Sequence, residues 1–91
     1  MAHGVSIRFR AEVFSEGDDF VAVCPELDVS SFGDSVEKAE ESLREAVAAF
    51  AEGCQSLGTL DEVLEEAGFH REGDTWVTRE PAARKVLVAQ A

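Results

Sequence analysis

Basic residues, cysteine, proline and long apolar runs are all scarce in this sequence, and each scarcity removes a class of function. Only eight Lys and Arg stand against nineteen Asp and Glu in 91 residues, a net charge of −11. That much like charge repels a phosphate backbone, which argues against direct nucleic-acid binding and leaves a basic protein as the complementary partner. Cys24 and Cys54 are too few for a disulfide framework, and each falls inside an apolar pattern, as small core residues do in a reducing cytosol. Two prolines and seven scattered glycines leave no low-complexity tract. No window approaches eighteen consecutive apolar residues, and Met1-Ala2-His3-Gly4 carries no basic stretch leading into an apolar one, so neither a membrane span nor export is expected and the expected location is cytoplasmic.

Chemical motifs are equally sparse. His3, His70, Cys24 and Cys54 stand apart, with no CxxC, HxxxH or HExxH spacing to hold a metal. No nucleophile elbow surrounds Ser30, Ser31 or Ser56, and no Gly-rich phosphate cradle is present. The expectation is therefore no catalytic, cofactor-binding or metal-ligating residue, with Trp76 and Phe69 closing a small core rather than stacking on bases. Carboxylates are the one abundant resource. Glu12, Glu26, Asp28 and Asp34 lie where strand ends are expected, so a metal-dependent nuclease is a reading to weigh. Structural uses compete for each: Glu12 has Arg8 and Arg10 beside it, Glu26 and Asp28 follow Pro25 in a turn, and Asp34 stands where a helix cap belongs.

What is present is clear alternation followed by a clear helical period. Val5, Ile7, Phe9, Ala11 and Val13 alternate with Ser6, Arg8, Arg10 and Glu12, which predicts one half-buried strand over 5–14. A turn around Gly17 leads back into Phe20-Val21-Ala22-Val23-Cys24, whose lack of a polar face predicts a central strand covered on both sides, ended by Pro25. Leu27, Val29 and Phe32 supply a short third strand. At Gly33-Asp34-Ser35 the period changes: Val36, Ala39, Leu43, Ala46, Val47, Phe50 and Cys54 recur at helical steps with acids on the other side. Asp34 or Ser35 caps this helix, Asp34 with Glu37 at capping-box spacing, and Gly53 or Gly58 ends it. Thr59 with Glu62 opens a second helix closed by Gly68. Beyond it, 69–71 and 75–78 flank a turn at Glu72-Gly73-Asp74, and Lys85-Val86-Leu87-Val88 is a further strand candidate.

The run Phe20 to Val29 with its Cys24-Pro25-Glu26-Leu27 step, then Gly33-Asp34-Ser35-Val36-Glu37-Lys38-Ala39, then Leu43-Arg44-Glu45-Ala46-Val47, resembles the HicB-like antitoxin family over about the first half of the chain. The resemblance implies an incomplete RNase H-like sheet with a helix against it, homo-oligomers, and binding that neutralises a small basic HicA-type messenger-RNA-cleaving toxin. Two departures stand out: Leu27-Asp28-Val29-Ser30 replaces the Leu-Pro-Gly-Cys common in two-component antitoxins, and no C-terminal DNA-binding segment is recognisable. The chain is closer to solitary members of the family. Glu65-Glu66-Ala67-Gly68-Phe69 with Thr75-Trp76-Val77 is faintly similar to the opening of the toxin, but the toxin's Gly-Ser-His segment is missing, so no toxin activity is transferred.

Together these readings predict a single α+β domain over 1–91, in the order β-β-β-α-α-β with room for an extra tail strand, an antiparallel sheet crossed by one long helix. Its expected function is antitoxin-like protein binding, through Glu37, Glu40, Glu41, Glu45, Asp61, Glu62, Glu65 and Glu66. The resemblance implies a homo-oligomer, a dimer or tetramer, and self-association would help a chain this short, which buries only about 60–65% of its unfolded surface. The alternatives are an orphan regulatory or structural homo-oligomer, with Val86-Leu87-Val88 or Trp76 serving self-association, and the nuclease weighed above.

Overall fold

The computed structural model describes residues 5–91; residues 1–4, and His3 with them, lie outside the described residues. The order is β1 (Ser6–Arg8), β2 (Glu12–Glu16), β3 (Asp19–Cys24), β4 (Val29–Gly33), α1 (Val36–Leu57), α2 (Leu60–Glu66), β5 (Phe69–Glu72) and β6 (Thr75–Thr78). The fold is α+β. Its strands form two small sheets, an antiparallel β2-β3-β4 and a mixed β1-β6-β5 in which β1 and β6 run parallel.

The predicted first strand is in fact two. Alternation tells which side chains share a face but not which neighbour the backbone pairs with, and between Arg8 and Glu12 the chain passes from one sheet to the other. Arg10 sits at this switch, half-buried, donating to Glu26 at 3.4 Å and to the carbonyl of Arg79. The tail therefore does not close the first sheet. Its hairpin, turning at Gly73 in the left-handed region, pairs with β1 instead. The further strand over 85–88 does not form: residues 79–91 have no regular structure, and Val86, Leu87 and Val88 are each more than 80% exposed.

β3 is central in its sheet, yet only one of its faces is covered. Ala22 and Cys24 are fully buried beneath α1, while Val21 and Val23 are half-buried on a face with no helix over it. Val21 lies there between Phe14 and Phe32 at paired register positions, and both phenylalanines are exposed. The β3–β4 turn buries Leu27 and places Asp28 in the left-handed region at φ 55°, a conformation that Asp tolerates better than most residues. Its amide donates to Pro25 O at 3.3 Å.

α1 presents Ala39, Leu43, Val47, Ala51 and Cys54 to the core; of the stripe that its period predicts, Val36, Ala46 and Phe50 are only half-buried, and Ala51 is added. Ser35, not Asp34, is the N-cap, and its hydroxyl accepts from the amide of Lys38 at 3.1 Å. Asp34, one residue outside, pairs with the Lys38 ammonium at 3.6 Å. Gly58 ends the helix with φ 73°, donating to Gln55 O while Thr59 N reaches back to Cys54 O, the Schellman arrangement. This closure explains why the second predicted capping box is absent: the Thr59 hydroxyl donates back to the Cys54 carbonyl of α1, which also accepts from the Thr59 amide, and leaves the first turn of α2 alone. Leu60 and Leu64 of α2, Phe69 and Trp76 complete one buried cluster with the α1 stripe.

Candidate functional site

Seven of the eight predicted partner-binding acids stand at the surface, away from the buried stripe of their helix, while Glu40 lies beside that stripe at the groove. Glu37, Glu41, Glu45, Asp61, Glu62, Glu65 and Glu66 are exposed and Glu40 is half-buried. Only Glu41 has an ion-pair partner among the described residues, Arg44 at 3.2 Å. They do not form one slab. Four occupy the N-terminal half of α1, and four lie on α2, which begins at the other end of α1; the twelve residues from Ala46 to Leu57 separate the sets by about 18 Å of helix at ~1.5 Å per residue.

Three of the four strand-end carboxylates take structural positions, whereas Glu12, expected beside Arg8 and Arg10, has no ion pair among the described residues because Arg10 turns to Glu26 and Glu80. Glu26 is held by Arg10 and lies 3.9 Å from the Cys24 sulfur, Asp28 shapes the β3–β4 turn, Asp34 pairs with Lys38, and Glu12 stands on the uncovered face of β2. Among the described residues no three His, Cys, Asp or Glu side chains gather closely enough to hold a metal ion. His70 sits on exposed β5 with Nε2 3.0 Å from Glu72 Oε2. Its neighbour Arg71 lies over the buried Trp76 ring, 5.6 Å from the centroid, which gives Trp76 a packing role.

Burial pushes the Cys24 thiol up from its ordinary range, and the Glu26 carboxylate adds to the shift. The thiol therefore stays neutral at pH 7 and has no route to solvent. In the folded chain Cys24 is expected to resist thiol reagents until denaturant exposes it, which a thiol titration with and without urea measures. The raised value also has a sign for stability. Its contribution is intact below the ordinary thiol pKa of 9.0 and is lost as pH climbs above it, because the unfolded thiol ionises there first. Urea midpoints should fall from pH 8 to pH 10 more in the wild type than in Cys24→Ala.

One concave feature escaped the sequence reading. A groove of about 700 Å³ runs between segment 5–11 and α1, floored by Val5, Ile7, Phe9, Leu43, Val47 and Ala51, with Glu40, Glu52, Arg8 and Arg44 on its rim. Among the described residues the β1 strand beside it is an edge strand, paired with β6 on one side only. The apolar residues were visible in the alternation and the helical period, but both patterns assign them to the core. Among the described residues, no helix is long and apolar enough to cross a membrane. Comparison with family models, with curated proteins and with solved structures gave no match.

Proposed function

We propose that this chain is a protein-binding module of the HicB antitoxin type, an incomplete RNase H-like domain that works in the cytoplasm as a homo-oligomer. It neutralises a small basic HicA-type toxin by covering the Lys and Arg that otherwise hold messenger-RNA phosphates. The observation that supports this reading is the exposure of seven of the eight helix acids, Glu40 being half-buried; of the eight only Glu41 is neutralised by a neighbour within the described residues. An array of unpaired carboxylates on a helix surface makes the local potential negative, which draws in a cationic partner, speeds encounter and rejects acidic partners. The division into two sets suits a toxin contacted at two places, one by the N-terminal half of α1 and one by α2.

The test is a binding titration against a HicA-type toxin. Glu37→Gln, Glu41→Gln and Glu45→Gln together remove three surface charges, each contributing about 0.5 kcal/mol, so affinity should fall a little over tenfold at low salt. Most of that loss should appear in the association rate. The fold should be unchanged, since all three side chains are exposed. Unaltered affinity in the triple variant would remove α1 from the interface.

A further inference from the structure

The C-terminal arm and the apolar groove are each unfinished within one chain. After Thr78 the chain is held at Arg79 by Arg10, then runs on with residues 80–91 all exposed. Its middle is the apolar, β-prone Val86-Leu87-Val88, 96%, 84% and 81% exposed. Three apolar residues in a row, left in water, have the composition of a strand without a sheet. The molecule is long: its radius of gyration is 15.2 Å, against about 12 Å for a compact chain of this length.

The groove supplies what the arm lacks. It offers an apolar floor from Ile7, Phe9, Leu43 and Val47, and beside it β1, which among the described residues is an edge strand paired on one side only. Charge favours the match. Residues 79–91 hold Arg79, Arg84 and Lys85 against Glu80 alone, so the arm is basic while the rest of the chain is strongly acidic. The Arg84-Lys85 pair immediately precedes the apolar trio; the groove rim itself is balanced, Glu40 and Glu52 against Arg8 and Arg44, so the attraction is between the basic arm and the acidic body of the chain as a whole. Length also allows it: thirteen residues extend to about 43 Å at ~3.3 Å each, enough to cross to a neighbouring molecule. The chain's own groove is not where its arm goes, since the apolar trio stands in solvent.

We infer that the occupant of the groove is the arm of a second copy, with Val86-Leu87-Val88 docked between β1 and α1, and that the exchange is reciprocal, giving a two-fold dimer. The site is incomplete without the second copy. This self-association is independent of the toxin reading and is tested without any partner.

The experiment is light scattering on the full chain at high micromolar concentration, with wild type, Leu87→Asp and Ala48→Arg compared. Leu87 is in the arm, and Ala48 is an exposed groove-lining residue, so neither change touches the core. Far-UV circular dichroism checks that both variants fold. The wild type should have at least twice the 9.8 kDa of one chain, and both variants should fall to 9.8 kDa. Mixing a Leu87→Cys chain with an Ala48→Cys chain under mild oxidation should then give a disulfide joining the two. A monomeric wild type, an oligomer that survives both substitutions, or a cross-link formed within a single doubly substituted chain at high dilution would each overturn the exchange.

Discussion

Gly33→Ala is expected to melt about 5–20 °C below the wild type, a loss of roughly 1–3 kcal/mol from overpacking, and Gly33→Val further below. Gly33 closes β4 just before α1 begins, and its backbone has no unusual torsion, so the requirement is one of space. A Cβ there would lie 2.6 Å from the amide nitrogen of Ala39, 2.7 Å from the carbonyl carbon of Lys38 and 2.9 Å from Lys38 Cβ. Two of these three are backbone atoms of the first turns of α1, and no rotamer change moves them away. Relief would require α1 to lift from β4, taking the fully buried Ala39 and Leu43 with it. Gly53 provides the opposite case on the same helix. It has nothing within 4 Å of a built Cβ, so Gly53→Ala should stabilise the chain by about 0.5–1 kcal/mol through helix propensity. Thermal melts of the two variants beside the wild type check both signs; a Gly33→Ala chain as stable as the wild type would mean that α1 does not approach β4 this closely.

The second large effect is expected at Leu43. Its side chain is fully buried at the centre of the α1 stripe, where the helix crosses β3 and β4, and it also contributes to the groove floor. Leu43→Ala should cost about 2–5 kcal/mol, the lost transfer energy plus the cavity left behind. For a domain whose total stability lies in the general range of about 5–15 kcal/mol, the upper end of that loss leaves a large unfolded fraction. Urea denaturation should show a lower midpoint with the slope unchanged. By contrast, Phe32→Ala, on the uncovered face of β4, should cost far less despite the larger side chain, because Phe32 is 68% exposed.

Much of this architecture was legible because the periods are clean. The 3.6-residue recurrence from Val36 to Cys54 located α1, and the Gly73 turn between two short β-prone runs located the last hairpin. The break inside 5–14 was not legible, because the pairing of β1 with β6 joins residues some seventy positions apart and alternation carries no record of a distant partner. Phe14 did carry a warning: it falls in phase with Ser6, Arg8, Arg10 and Glu12, the polar side of the pattern, and the structure leaves it on the uncovered face. Phe32 is likewise out of phase with Leu27 and Val29. The exposed acids could be placed on their helix faces from spacing alone. Their separation into two sets could not, since it depends on where α2 leaves the end of α1. Nor could the close approach at Gly33, which is set by the angle at which α1 enters rather than by any local preference.

Carboxylates that meet a cationic protein surface must lose their hold as counterions compete for it, so salt dependence is the most direct test of the interface. The chain, purified from its native host with its partners in place, should retain a small basic protein at low ionic strength, release it as salt rises, and retain much less when Glu37, Glu41 and Glu45 are changed to Gln. Recovery of the chain with copies of itself alone, or of a partner whose retention responds neither to salt nor to those three substitutions, would contradict it.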